Sequence, residues 1–172
     1  MTETKVKTHA DFVLPPNVVS KSDLARLVNE FEHVDDELIE AAVRAKTGST
    51  KSAQPVLSQS LTDFLNQNKP QLSNSRDRSE LIKQMRLLKD AAPVIHMTFA
   101  VTADRDSLQK LSAWLRTSIH PQAIIEVGLQ PALVAGVYLR TPNRVHDLSM
   151  RAMLDGQHDA LVAELESLRG NK

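Results

Sequence analysis

Histidine is the side chain here best suited to acid–base or metal chemistry, so the spacing of its six copies decides what chemistry is open to the chain. His9, His33, His96, His120, His146 and His158 are scattered, with no His-Glu-x-x-His motif and no i,i+4 pair to bring two ring nitrogens to one metal ion. His146-Asp147 and His158-Asp159 are sequence neighbours, so their side chains point apart rather than toward each other. The acidic run Asp35-Asp36-Glu37 beside His33 matches no ligand spacing. It reads as a solvated helix face, or as a second N-cap where a helix breaks. Thr47-Gly48-Ser49-Thr50-Lys51-Ser52 has a superficial Gly-x-x-Lys-Ser look, but it lacks both Walker spacing and a preceding strand. Serines are plentiful, yet no Gly-x-Ser-x-Gly elbow occurs. Gly128 and Gly136 fall inside strand-like runs, where close packing explains them better than phosphate binding. A constellation of His96, Glu126 and Tyr138 is the enzymatic arrangement that can be drawn from these residues, and it ranks last. The chain reads as non-catalytic, with no cofactor and no metal.

Bulk properties narrow the field further. The 172 residues carry 21 basic and 21 acidic side chains and a formal net charge of zero, which argues against nucleic-acid binding by bulk electrostatics. There are no cysteines, so disulfides and thiolate metal sites are excluded and an intracellular setting fits. Only 3% of residues are aromatic against 41% hydrophobic, so Leu, Val, Ile and Ala must fill the core. No apolar run is long enough to span a bilayer, and Met1–Asp11 has no apolar signal core. Any membrane association is expected to come through a partner.

The elements that must position these residues follow from periodicity. Phe12-Val13-Leu14 before Pro15-Pro16 suggests an extended apolar tether laid on a helical body. Ser20 or Ser22 can cap a first helix, in which Leu24, Leu27, Val28, Phe31, Val34 and Leu38 recur at helical spacing, continued by Ile39, Ala42 and Val43. Pro55 suits the first position of a second helix with Leu57, Leu61, Phe64 and Leu65 inside. A third helix is expected from about Asp77 to Asp90 with Leu81, Ile82, Met85 and Leu88 buried. Its Arg76, Arg78, Lys83, Arg86 and Lys89 read as a solvated face more readily than as a seat for an anionic partner. Ala91-Ala92-Pro93 ends the helices. Beyond it Ile95, Met97, Phe99 and Val101 alternate with polar or small residues as a strand. Asp104 or Asp106 then opens a helix with Leu108, Leu111, Leu115 and Ile119 inward and Trp114 at its edge.

The stretch Ala123–Leu154 organises the second half. Ile125, Val127 and Leu129 alternate as a strand until Gln130-Pro131 breaks the run. Leu133, Ala135, Val137 and Leu139 share one face of a further strand, and Thr141-Pro142-Asn143-Arg144 supplies a turn. Asp147 is the expected N-cap of a long terminal helix whose inner set is Met150, Leu154, Leu161, Leu165 and Leu168. The fold class is therefore α+β. An N-terminal helical bundle over residues 1–90 precedes a small β-α-β-β-α domain over 91–172, which ends in a long C-terminal helix. The strand-helix-strand unit implies a right-handed crossover between parallel strands. One sheet face is left with His96, Thr98, Glu126, Tyr138 and Arg140, open to water or a partner.

Pro131, Leu133, Val134, Gly136, Val137 and Leu139, followed by Val145, Asp147, Ser149 and Met150, resemble a C-terminal pattern of the F-type ATP synthase delta subunit family, called the oligomycin sensitivity-conferring protein in mitochondria. Gln130 and Ala135 stand where that family usually has an acid and the first of two glycines. The resemblance covers roughly the last half of the chain. The family's usual N-terminal Ala-x-x-Tyr-Ala-x-Ala-Leu-like helix is missing, which suggests a shortened or divergent bundle. The resemblance implies a structural subunit of the peripheral stalk, monomeric within a hetero-oligomeric complex. Its helical domain would grip the alpha subunits of the catalytic head, and its C-terminal domain would receive a helix of the b subunit. The protein would then lie in the cytoplasm, on the inner face of the plasma membrane, through that complex. Leu133, Tyr138, Ala152, Met153 and Val162 are the candidate partner contacts, with Met153 and Val162 equally suited to a core. Pro131, Leu133, Gly136, Val137, Asp147 and Ser149 are the structural motif. The alternative is an RNA-binding or ribosome-associated adaptor, since a small strand-helix-strand sheet beside basic helices is a common RNA platform. Tyr138 is the lone stacking aromatic on the open face, and this counts against it.

Overall fold

Ser20 and Asp23 begin the first helix by satisfying each other's backbone. The Ser20 hydroxyl accepts from the Asp23 N–H at 3.2 Å, and the Asp23 carboxylate accepts from the Ser20 N–H at 3.0 Å, a reciprocal capping box. Burial opposes ionisation of Asp23. Hydrogen bonds from Ser20 and Val19, with the nearby Arg26 guanidinium, outweigh it and hold the carboxyl below its usual range. From there α1 (Lys21–Lys46) runs unbroken and buries Leu24, Leu27, Val28, Phe31, Val34 and Asp35. The computed structural model describes residues 8–46, 55–70, 72, 74–141 and 143–169. The Gly-Ser-Thr-Lys stretch at 47–52 and Pro142 of the expected turn therefore lie outside the described residues.

Three expectations for the helices are corrected. The acidic run neither caps a break nor faces solvent throughout, because Asp35 is buried and ion-paired with Arg78. Arg78, read as solvated, is itself largely buried and also donates to the Leu72 carbonyl at 3.3 Å. Arg86 is likewise matched by an acid on α1, donating to Glu32 at 2.7 Å. The second correction is that α1's apolar stripe does not stay inside, since Ile39 and Val43 are exposed. The third concerns α2 (Gln59–Asn68), which starts after Ser58 rather than at Pro55. The Ser58 hydroxyl accepts from the Leu61 N–H, which proline cannot do. Lys69 ends α2 in the left-handed conformation, with its N–H bonded to the Leu65 carbonyl. α3 (Ser75–Ala91) buries Leu81, Met85 and Leu88, four and three residues apart, so one side of the helix faces the core.

The strands follow. β1 (Val94–Phe99) leads to α4 (Arg105–Ser118), whose first turn is capped by Asp104 accepting from the Ser107 N–H at 2.9 Å. In α4 Leu115 is buried, while Trp114 and Ile119 are exposed, so the expected inward set is only partly inside. β2 (Ile124–Leu129), β3 (Gly136–Arg140) and β4 (Val145–Ser149) complete a mixed four-stranded sheet in the order β2-β1-β3-β4. Ile124 N–H bonds the Pro93 carbonyl and Gln130 N–H the Phe99 carbonyl, so β2 runs in the same direction as β1. β1 pairs antiparallel with β3, and β3 with β4. α5 (Met150–Arg169) closes the described chain.

β4 corrects the sequence reading, which placed the N-cap of the terminal helix there and gave one strand fewer. Pairing of Gly136 with Ser149 through Arg140 with Val145 makes Val145–Ser149 a strand. Ser149, not Asp147, then caps α5, its hydroxyl accepting from the Ala152 N–H at 3.2 Å. β3 is also shorter than expected. Pro131–Leu133 forms a 3-10 turn, and the strand begins only at Gly136.

By contacts the chain divides into two compact units, each discontinuous in sequence. The first combines the chain up to Pro93 with Leu108–Ile124, and the second combines Val94–Ser107 with the chain from Ile125 onward.

Candidate functional site: an exposed helix beginning at a sheet hairpin

The motif residues of the second half meet where α5 begins. β3–β4 register sets Gly136 opposite Ser149, Val137 opposite Leu148 and Tyr138 opposite Asp147. The Met150 N–H bonds the Ala135 carbonyl at 2.9 Å, pinning the first residue of α5 to the approach to β3. Asp147 accepts from the Ser149 N–H at 3.0 Å, and this hydrogen bonding with Ser149 holds its carboxyl below the usual range. Gly136 has no substitute at this crossing. Its φ is +91°, and a Cβ there would lie 2.3 Å from the Leu148 carbonyl oxygen. Two residues earlier Val134 also has a positive φ, 65°, in a tight turn closed by the Ala135 N–H on the Leu133 carbonyl at 2.7 Å. A β-branched residue in that conformation is strained. Pro131 opens the 3-10 turn that directs Leu133 inward.

This junction launches a helix that buries little. Met150, Met153, Leu154, Val162 and Leu165 of α5 are all exposed, Met153 to 67% and Leu165 to 62%. Met150, Leu154 and Leu165 were expected inside, and this is a correction. The side chains of Leu161 and Leu168, expected in the same set, lie outside the description. Helical period places Met150, Met153, Leu154 and Leu165 on one side of the helix and Asp155 and Glu166 toward the other. The result is an amphipathic helix whose apolar side has no cover within the chain as described.

The sheet adds to this. The His96 Nδ1 lies 3.2 Å from Glu126 Oε2, and Thr98 sits beside Gly128, so these four residues share one face with Tyr138, Arg140 and Asp147. The other face carries Ile95 and Met97, both buried, and also Val127, Leu129 and Leu148, which are exposed. The His96–Glu126 pair is open to solvent on both sides. Tyr138, opposite Thr98 on β3, is half-buried and has a diagonal relation to His96. No group of three or more His, Cys, Asp or Glu residues could hold a metal ion among the described residues. No described helix is long and apolar enough to cross a membrane.

Of the partner-contact residues read from sequence, Met153 and Val162 are exposed on α5, Ala152 is half-buried there, and Tyr138 is half-buried on β3. Leu133 is buried and not open to a partner as the chain stands. Sequence reasoning missed Leu148 and the exposed Val127 and Leu129. The alternation of Val127 and Leu129 was visible, but alternation does not tell which face is covered. No protein-family model matches the chain, and no curated protein matches it.

Proposed function

We propose that this chain is a non-catalytic, delta-like subunit of the peripheral stalk of an F-type ATP synthase, linking the catalytic head to the stalk's b subunit. In this reading the first three helices form a shortened N-terminal bundle that grips the alpha subunits, and the strands with α5 form the small domain that receives the b-subunit helix. The observation that carries it is the convergence of Pro131, Leu133, Gly136, Val137, Asp147 and Ser149 on the start of α5, the segment through which the chain resembles that family. The exposed apolar side of α5 supports the second half of the reading, because an amphipathic partner helix is held by such a surface. Holding two bodies together under load calls for broad apolar contact, since an exposed ion pair contributes only about 0–1 kcal/mol. The subunit is monomeric within its complex and reaches the inner face of the plasma membrane through it.

Affinity purification of the tagged chain from its own cells, followed by native mass spectrometry, tests this. Recovery with ATPase alpha, beta and b subunits is the expected result. Recovery with RNA or ribosomal proteins and no ATPase subunit would overturn it in favour of the adaptor reading.

A further inference from the structure

Within the first unit, residues 8–19 are bound in the manner of a peptide ligand. His9–Asp11 make one 3-10 turn, a second turn at Pro16-Asn17 is closed by the Val18 N–H on the Pro15 carbonyl at 3.1 Å, and residues 12–15 between them belong to no helix or strand. The backbone polar groups are instead read by side chains. Asn68 takes both groups of Val13: its Oδ1 accepts from the Val13 N–H at 2.8 Å, and its Nδ2 donates to the Val13 carbonyl at 2.9 Å. Gln122 donates to the carbonyls of His9 at 2.7 Å and Phe12 at 2.9 Å, and Gln84 accepts from the His9 N–H. Arg116 donates to the carbonyls of Leu14, Pro15 and Val18 as well as to that of Ala123. Between these contacts Phe12, Leu14, Val18 and Val19 are buried, and Phe12 meets Phe64 edge to face at 5.5 Å. An amide pairing with both backbone groups of one residue, a guanidinium on successive carbonyls and an aromatic anchor are how a groove holds an extended peptide.

We propose that residues 8–19 are a releasable strap, the resident ligand of an extended-peptide groove read by Asn68, Arg116 and Gln122. The strap opens without unfolding of α1–α3, and the vacated groove binds the same sequence supplied in trans. Burial supports the assignment of Arg116 as a carbonyl reader, since it lowers the guanidinium's pKa to about 10 and its hydrogen bonds here all go to neutral carbonyls. The inference does not depend on the stalk reading.

The test uses the full chain with Phe12→Ala, which alters the strap and leaves the groove residues unchanged. Amide exchange at Val13, Val18 and Val19 is expected to accelerate about tenfold or more over the unaltered chain, while amides of Leu27, Phe31 and Met85 keep their rates. A fluorescent peptide of residues 8–20 is expected to bind this variant, to bind the unaltered chain at least about tenfold more weakly, and to lose binding when its own Phe12 is alanine. Equal acceleration of strap and helix amides would overturn the proposal, because the strap would then be ordinary core. Selective acceleration with no peptide binding would overturn it too, because no groove survives the strap's release. Should Phe12→Ala fail to fold, the milder Phe12→Leu carries the same readouts.

Discussion

The two compact units handle their apolar and polar surface in opposite ways. In the first, apolar side chains from five separate segments (the strap, α1, α2, α3 and α4) are buried, and the buried Asp35 and Asn68 and the half-buried Arg116 each meet specific partners. In the second, the sheet buries mainly Ile95, Met97 and Ile125, and α5 leaves apolar residues exposed through most of its length. Contiguous exposed apolar surface of this kind is the feature on which the proposed partner contact rests. Among the described residues, the first unit covers most of its apolar side chains, and the second leaves much of its own open.

Substitutions divide along the same line. Arg78→Met should cost about 3–5 kcal/mol in urea unfolding, because it leaves the Asp35 carboxylate buried without its partner. A loss under about 1 kcal/mol would show that the pair is solvated and that the first unit is looser than described. Gly136→Ala should cost about 2–4 kcal/mol, the sum of a clash with the Leu148 carbonyl and a strained φ. Its effect should appear in amide exchange of β3, β4 and the first turn of α5, which makes it the severest single change in the second unit.

Smaller effects sharpen the contrast. Ser20→Ala should cost about 1 kcal/mol by removing the cap of α1. The cap also carries a pH signature. The folded-state pKa of Asp23 is depressed, so its contribution is complete above the unfolded value of about 3.9 and is lost as pH falls through the lower folded value. Asp23→Asn should therefore flatten stability against pH below about 4. Gly156→Ala should raise stability or helix content by about 0.5–1 kcal/mol, because a Cβ there meets nothing within 4 Å. Smallest of all, Met153→Gln and Leu165→Gln should each change the stability of the isolated chain by less than about 0.5 kcal/mol. A larger loss would mean that the apolar side of α5 is already covered.

What the sequence made legible was whatever burial drives. The helical stripes through Leu24–Val34, Leu61–Phe64 and Leu81–Leu88, and the alternation of Ile95 and Met97 in β1, follow core contacts closely enough to be read directly. β4 was not legible because Val145, His146, Asp147 and Leu148 are all exposed, and a strand that buries so little leaves no period-two signal. Asp147 and Ser149 are both good caps. The difference between them comes from the β3 pairing, which extends the strand to Ser149. Asp35 and Arg78 looked solvated because their partnership spans 43 positions, and no local pattern reports it. The strap was legible as an apolar tether, but its readers were not. Gln122 and Arg116 lie about a hundred residues away from it and are ordinary polar residues by type. For the candidate site, spacing gave the last helix an apolar side, and only the fold shows that Met150, Leu154 and Leu165 on that side are exposed.

The central claim, that the second unit is completed by a stalk helix held on α5, is tested most directly by quantitative co-purification. Tagged chains carrying Met153→Gln and Leu165→Gln together would be compared with the unaltered chain for recovery of the b subunit and of the alpha subunits. The account predicts that the double variant folds normally and keeps the alpha subunits while its yield of b subunit falls about tenfold or more. Undiminished recovery of b, or no recovery of any ATPase subunit by the unaltered chain, would contradict it.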